Sequence, residues 1–255
     1  APENPADPHN PMMDRKGRVW MTSKIRDDQP AWCREGSDNE YARYYPLNFS
    51  NRQASYYDPT TGEFRLIDTC FATHHLQSDT DADSTLYFNE LLGPIVGWLN
   101  VREYDRTGDE QAAQGWCPQI IDTNGDGRIT RPWNRPDGEY DPRRDTEVRY
   151  NLYSVIPSPV DGSVWGASEE YPGYIVRVDR GANPPETCVT ELYKVPEPGI
   201  DPRGIDIDSN GIVWTAPAAT SHLASFDRNK CSVLNGSSTR EGTHCEQGWT
   251  LYVSD

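Results

Sequence analysis

A hairpin pattern written four times over constrains this chain more than any other feature. The clearest copy is Arg203-Gly-Ile-Asp-Ile-Asp-Ser-Asn-Gly-Ile-Val-Trp214-Thr-Ala. It reads as a short alternating strand, an Asp-Ser-Asn-Gly turn, and a second strand ending on Trp. Asn-Gly supplies the positive φ angles of a tight turn. Ile205, Ile207, Ile212 and Trp214 alternate with other residues, so each strand has a face to bury. The other copies are His9–Thr22 with Asp14, Gly17 and Trp20, His74–Glu90 with a longer turn, and Tyr153–Ser168 with Asp161, Gly162 and Trp165. Four imperfect copies of one hairpin are an internal repeat, and a repeat sets the fold.

Each hairpin is followed by two more strand-like runs. They are 53–58 and 63–67, then 95–101 and 118–122, then 174–179 and 191–195, then 222–227 and 248–253. Four strands, four times, are the blades of a β-propeller. The chain is therefore expected to be all-β, a single propeller domain or fragment over 1–255. Its four four-stranded blades fall near 9–67, 74–122, 152–196 and 203–253, and 123–150 form an inserted loop. Four blades are few within the four-to-eight range, and an open arc would expose two apolar blade faces. The expectation is thus an arc of a larger six- or seven-bladed ring, completed by the rest of a longer propeller chain or by a larger assembly.

Twenty-four Lys and Arg stand against 40 Asp and Glu, a formal charge of −16. That sign argues against binding a phosphate backbone. No run of about 18 apolar residues is present, so no membrane span is expected. Six cysteines form no Cys-x-x-Cys pattern. Cys231 and Cys245 flank one loop between adjacent strands, and Cys33 and Cys70 both belong to the first blade region, which leaves Cys117 with Cys188. This usage suits an oxidising, extracellular or periplasmic setting. Six free thiols in a reducing compartment are the alternative.

Two stretches carry cation spacing. Asp122-Thr-Asn124-Gly-Asp126-Gly127-Arg128-Ile-Thr130 matches the first two-thirds of an EF-hand-type loop. Asp122, Asn124 and Asp126 would supply side-chain oxygens, and Arg128 its carbonyl, to a structural Ca2+. Position 12 is Trp133 in place of Glu, so Asp137, Glu139 or Asp141 is expected to complete the shell. Asp79-Thr-Asp81-Ala-Asp83 also has the spacing, with Glu90 at position 12. Ser84 in place of Gly, and the strand that follows, make it a solvated turn.

Histidines are the second resource. Aligning the hairpins places His9, His74, Ser154 and Arg203 at one point, just before the innermost strand, with His75 beside them. His222 starts a third strand, and Glu90 ends a second one. In a propeller such points gather at one mouth of the central channel, where titratable groups make a site. His9 and His222 are candidate metal ligands. No phosphate loop, nucleophile elbow or dinucleotide fingerprint is present.

The hairpin Pro202–Thr215, together with His74-His-Leu and Leu86-Tyr-Phe-Asn-Glu90, resembles the streptogramin B (virginiamycin B) lyase-like propellers. More distantly it resembles gluconolactonase and NHL-repeat propellers. The resemblance covers about half the chain and speaks to fold more than to reaction. It implies a seven-bladed ring, a channel Mg2+ or other divalent cation, a histidine base with a nearby glutamate, and ring-opening elimination of a cyclic depsipeptide ester. His75 or His74, and Glu90, stand where that His and Glu would stand. The long insertions, the cysteines and the calcium-like loop depart from the family pattern. Ser154 and Arg203 stand where a further histidine would be expected.

Two functions follow as expectations. One is an exported, calcium-stabilised propeller that binds a small molecule, glycan or protein at the channel mouth. The other is a divalent-metal-dependent lyase, or lactone- or ester-opening enzyme, with His74 or His75 as base, Glu90 and His9 as ligands or orienting groups, and Arg203 neutralising developing negative charge.

Overall fold

The computed structural model describes residues 6–90 and 92–253. The chain forms two compact units, Ala1–Trp116 and Cys117–Asp255.

The first unit is built on two four-stranded sheets. One holds β1 (His9–Met13), β2 (Val19–Ser23), β3 (Gln53–Asp58) and β4 (Glu63–Ile67) in sequence order. The second holds β5 (Thr73–Ser78), β6 (Thr85–Glu90), β7 (Ile95–Asn100) and β8 (Gln114–Pro118). Between them Trp20, Phe71, Leu76, Phe88, Leu99 and Trp116 form a fully buried core. Aromatic rings fill such a sheet-on-sheet space with few residues. Gly97 is needed there: a Cβ at that position would lie 2.6 Å from the Phe71 ring.

The first and last hairpins share one turn chemistry. In the first hairpin Asp14 Oδ1 accepts the amides of Lys16 and Arg18, and Oδ2 accepts the indole N–H of Trp20 at 2.8 Å. In the last, Asp208 Oδ1 accepts the amides of Asn210 and Ile212, and its side chain bonds Trp214. Gly17 and Gly211 sit at φ +79° and +80°, where a side chain would be strained. Asp-x-x-Gly-x-Val-Trp is thus one hydrogen-bonded unit, with the Asp closing the turn and pinning the aromatic of the next strand.

The second unit departs from the expected count. Its first sheet has six strands, in the order β10 (Thr146–Glu147), β9 (Ile120–Ile121), β14 (Val189–Lys194), β13 (Tyr174–Asp179), β12 (Val164–Ser168) and β11 (Ser154–Pro157). The 118–122 run expected to close the second blade is therefore divided. Gln114–Pro118 closes that blade, and Ile120–Ile121 pairs with β14 and β10 in the next sheet. Buried on every residue, this apolar run carries no alternation to say which sheet it joins. The other sheet is β15 (Pro202–Ile207), β16 (Val213–Pro217), β17 (His222–Phe226) and β18 (Trp249–Val253). Trp165, Ile175 and Tyr193 of the first sheet pack on Val213 and Phe226 of the second.

Three disulfides join Cys33–Cys70, Cys117–Cys188 and Cys231–Cys245. Two short helices, α1 (Glu40–Tyr44) and α2 (Val101–Thr107), start on the side-chain caps of Asn39 and Asn100. Among the described residues no helix is long and apolar enough to cross a membrane.

Candidate metal centre

Three imidazoles meet in the first unit. β5 carries His74 and His75 in succession, and a regular strand would send them to opposite faces. The pairing of β5 with β6 instead shifts register between Thr73 and Leu76, and β1 has the same irregularity between His9 and Met12. These bulges bring both β5 histidines towards His9. The His9 and His74 rings stack at 4.5 Å, His9 and His75 meet edge-on at 4.6 Å, and His74 and His75 at 4.3 Å. His9 Nε2 lies 3.1 Å from His75 Nε2.

The surroundings hold the rings in place. Thr22 Oγ1, fully buried, donates to the His74 carbonyl at 2.6 Å and lies 3.2 Å from that of His9. Asn10 Oδ1 accepts the Leu76 amide and so ties β1 to β5 at the bulge. Asn89 Oδ1 accepts the His75 amide, and its Nδ2 lies 3.5 Å from His74 Nδ1.

His9, His74 and His75 are, among the described residues, the one set of three His, Cys, Asp or Glu side chains whose ligand atoms lie within 4.8 Å of one another. Two nitrogens on one tetrahedral zinc, each about 2.05 Å from the metal, stand about 3.3 Å apart. The His9–His75 spacing is within a few tenths of an ångström of that. All three rings are partly exposed, so a cation can enter.

The other candidates are placed differently. Glu90 ends β6 but turns inward, where Oε2 accepts the Ala72 amide at 2.6 Å and Oε1 the Leu92 amide at 3.2 Å. Burial raises its carboxyl to about 7 despite those two amides. Arg203 lies in the second unit, paired with Asp201 and Glu169 and stacked on Tyr153. His222 starts β17 in that unit, with a buried Nδ1 that finds no hydrogen-bond partner among the described residues.

Glu90 makes a pH prediction. Its folded value lies above its unfolded one of 4.5, so folding is fully supported below 4.5 and loses support as pH rises to about 7. The loss amounts to about 3 kcal/mol above pH 7. Glu90→Gln mimics the protonated acid. Urea unfolding of both proteins from pH 4 to 8 should show the wild type losing stability relative to the variant between those limits. A constant difference would show that Glu90 titrates normally.

In the second unit, Asp122 Oδ1 and Oδ2 accept the amides of Gly125 and Gly127, and Asn235 Nδ2 reaches Oδ2 at 3.3 Å. Asn124 and Asp126 accept the amides of Asp126 and Arg128. Asp137 and Asp141 instead pair with Arg149 and Arg143. The carboxylate that turns to the loop is Asp145, fully buried and bonded to the Thr130 and Asn124 amides. Burial, with Asp122 and Asp126 nearby, raises its carboxyl. No sequence signal marked Asp145, which follows the motif at no standard spacing. Asp122, Asp126 and Asp145 do not gather as closely as the histidines. In the other motif Asp81 caps its own turn through the Thr85 amide and hydroxyl.

No protein-family model and no curated protein matches the sequence. Solved structures do match. A streptogramin B lyase aligns at TM-score 0.52 and 11% identity, over 90% of this chain and 54% of its own. A catalytically inactive virginiamycin B lyase from Staphylococcus aureus, crystallised with quinupristin, aligns at TM-score 0.51 and 11% identity, over 100% of this chain and 58% of its own. The fold is that of the β-propellers, and the chain spans little more than half the length of these two.

Proposed function

We propose that this propeller chain is a divalent-metal protein whose His9, His74 and His75 bind a zinc-class cation and present it to an oxygen ligand. The observation that carries this is the convergence of three imidazole nitrogens at partly exposed positions. Three protein ligands leave a fourth position open, as in sites that bind or activate an exogenous group, whereas structural zinc sites are closed by four. Imidazole donors suit zinc, copper, nickel or iron, while magnesium favours oxygen. The donor set therefore favours a transition metal over the Mg2+ of the lyase resemblance. Bound there, the metal would polarise a carbonyl or ester oxygen of a small molecule. Ring opening of an ester or lactone, with His74 or His75 as base, is the second reading. The three disulfides support an extracellular or periplasmic location.

Calorimetric titration of the metal-stripped chain with zinc tests this. One site per chain is expected, lost in His74→Ala/His75→Ala and retained in His222→Ala. Equal zinc binding by the double variant would overturn the assignment.

The 122–130 loop is proposed as a separate, structural calcium site, completed by Asp145 in place of a position-12 Glu. Buried Asp122 and Asp145, with the Asp126 charge nearby, favour a cation. Calcium at a hundred times its Kd should then stabilise the chain by about 3 kcal/mol. Thermal melts with calcium and with chelator read this, and Asp145→Asn should erase the difference. Identical melts in the wild type would exclude calcium from the loop.

A further inference from the structure

A cavity of about 600 Å³ opens in the first unit beside α1, the end of β7 and the start of β8. Small-molecule sites run from about 300 to 1,000 Å³. None of His9, His74 and His75 lines it.

Its walls are fixed by the fold. The Cys33–Cys70 bridge ties the segment that carries α1 to the start of the second sheet. Trp116 Nε1 donates to the Tyr45 carbonyl at 2.9 Å, just past α1. Tyr41 of α1 meets Trp98 of β7 edge-on at 5.6 Å. Gly115 permits that approach, because a Cβ there would lie 2.4 Å from the Tyr41 ring and 2.5 Å from that of Trp98. Gln114 Oε1 accepts the Cys70 amide, and its Nε2 donates to the carbonyls of Asp68 and Glu110.

Two helix-capping asparagines line the cavity. Asn39 Oδ1 accepts the Tyr41 and Ala42 amides, and Asn100 Oδ1 accepts the Glu103 amide. Each carboxamide thus gives its oxygen to a helix and keeps an NH2 group that donates to no described residue. Asn39 is 5% exposed. A donor so poorly solvated calls for a ligand oxygen. Acceptors stand close by: Asp38 and Glu40 are exposed and accept from no described residue, and Asp109 bonds the Ala112 amide through Oδ1 alone.

We propose that this cavity binds a neutral sugar ring. Amide donors set among carboxylate acceptors suit hydroxyl groups, each of which donates and accepts at once. The rings of Tyr41 and Trp98 suit the apolar C–H face of the sugar. Three carboxylates against Arg43 disfavour an acidic sugar. An organic cation would suit the carboxylates but offers the two capping amides no acceptor.

Saturation-transfer NMR on the full chain tests this with D-glucose, D-galactose, D-mannose and N-acetyl-D-glucosamine, each as the free sugar and as its methyl glycoside. Transfer to at least one is expected, with affinity about tenfold weaker or worse in Asn39→Asp and in Asn100→Asp. Asp caps a helix as well as Asn does, so both variants should keep the wild-type circular dichroism and melt while losing the donor. Binding of a glycoside assigns the ring to a glycan, and binding of free sugars alone assigns it to a monosaccharide. No transfer to any of these sugars, transfer that both variants leave unchanged, or transfer to choline in place of the sugars would each overturn the assignment.

Discussion

Glu191→Ala should cost the second unit about 3–5 kcal/mol, because the buried carboxylate is shared by buried Arg177, half-buried Arg228 and the Tyr193 hydroxyl. Glu191 is 5% exposed. Its Oε1 accepts Arg177 Nη1 at 3.1 Å and Arg228 Nη2 at 2.6 Å, and its Oε2 accepts Arg228 Nε and the Tyr193 hydroxyl, both at 2.6 Å. The hydroxyl belongs to a ring at the centre of that core. Arg177, equally buried, also bonds Asp161 and Asp179. Removing the carboxylate therefore leaves the Tyr193 phenol and the half-buried Arg228 without their acceptor, and takes from Arg177 one of its three carboxylates. Glu191→Gln keeps one acceptor and the side-chain volume, and should fall between wild type and Ala. Urea midpoints at constant slope measure this. A loss under about 1 kcal/mol for Glu191→Ala would mean that water enters and replaces the carboxylate.

Cys33→Ala with Cys70→Ala should destabilise the first unit by about 4 kcal/mol, the loop-closure entropy of its 37-residue separation. Cys33 and Cys70 are both fully buried. Cys33 anchors the long 24–52 excursion, and Cys70 lies just before β5, the strand that carries His74 and His75. The same relation ranks the other bridges. Cys117–Cys188, at separation 71, is expected to contribute slightly more, and Cys231–Cys245, at 14, about 3 kcal/mol. Pairwise alanine substitutions with denaturant unfolding test the order. A Cys33/Cys70 variant as stable as wild type would show that packing of Trp32, Tyr41 and Tyr45 holds the excursion unaided.

The first and last hairpins are legible because Asp-x-x-Gly-x-Val-Trp is a local device, and the third keeps its Gly-x-Val-Trp end. The full motif's carboxylate, turn glycine and indole sit within seven residues, so its geometry is written into a short string. The helices were not legible: α1 and α2 are five and seven residues long and rest on Asn caps, too short for a helical period. Ile120–Ile121 joins the next sheet, which its sequence does not signal, because an apolar pair buried on all sides looks the same in either sheet. At the site, equivalent positions in the hairpins pointed to His9 and His74. That His75 joins them depends on bulges in β1 and β5, which sequence alone does not register. Asp145 escaped for the opposite reason, since folding of the long loop places it 23 residues beyond Asp122.

X-ray absorption at the zinc edge of the loaded chain tests the central claim most directly. Three imidazole nitrogens at about 2.0–2.1 Å and one lighter-scattering oxygen are predicted, with the imidazole signal lost when His74 and His75 are replaced. A first shell of oxygens alone, or an imidazole count unchanged in that variant, would contradict it.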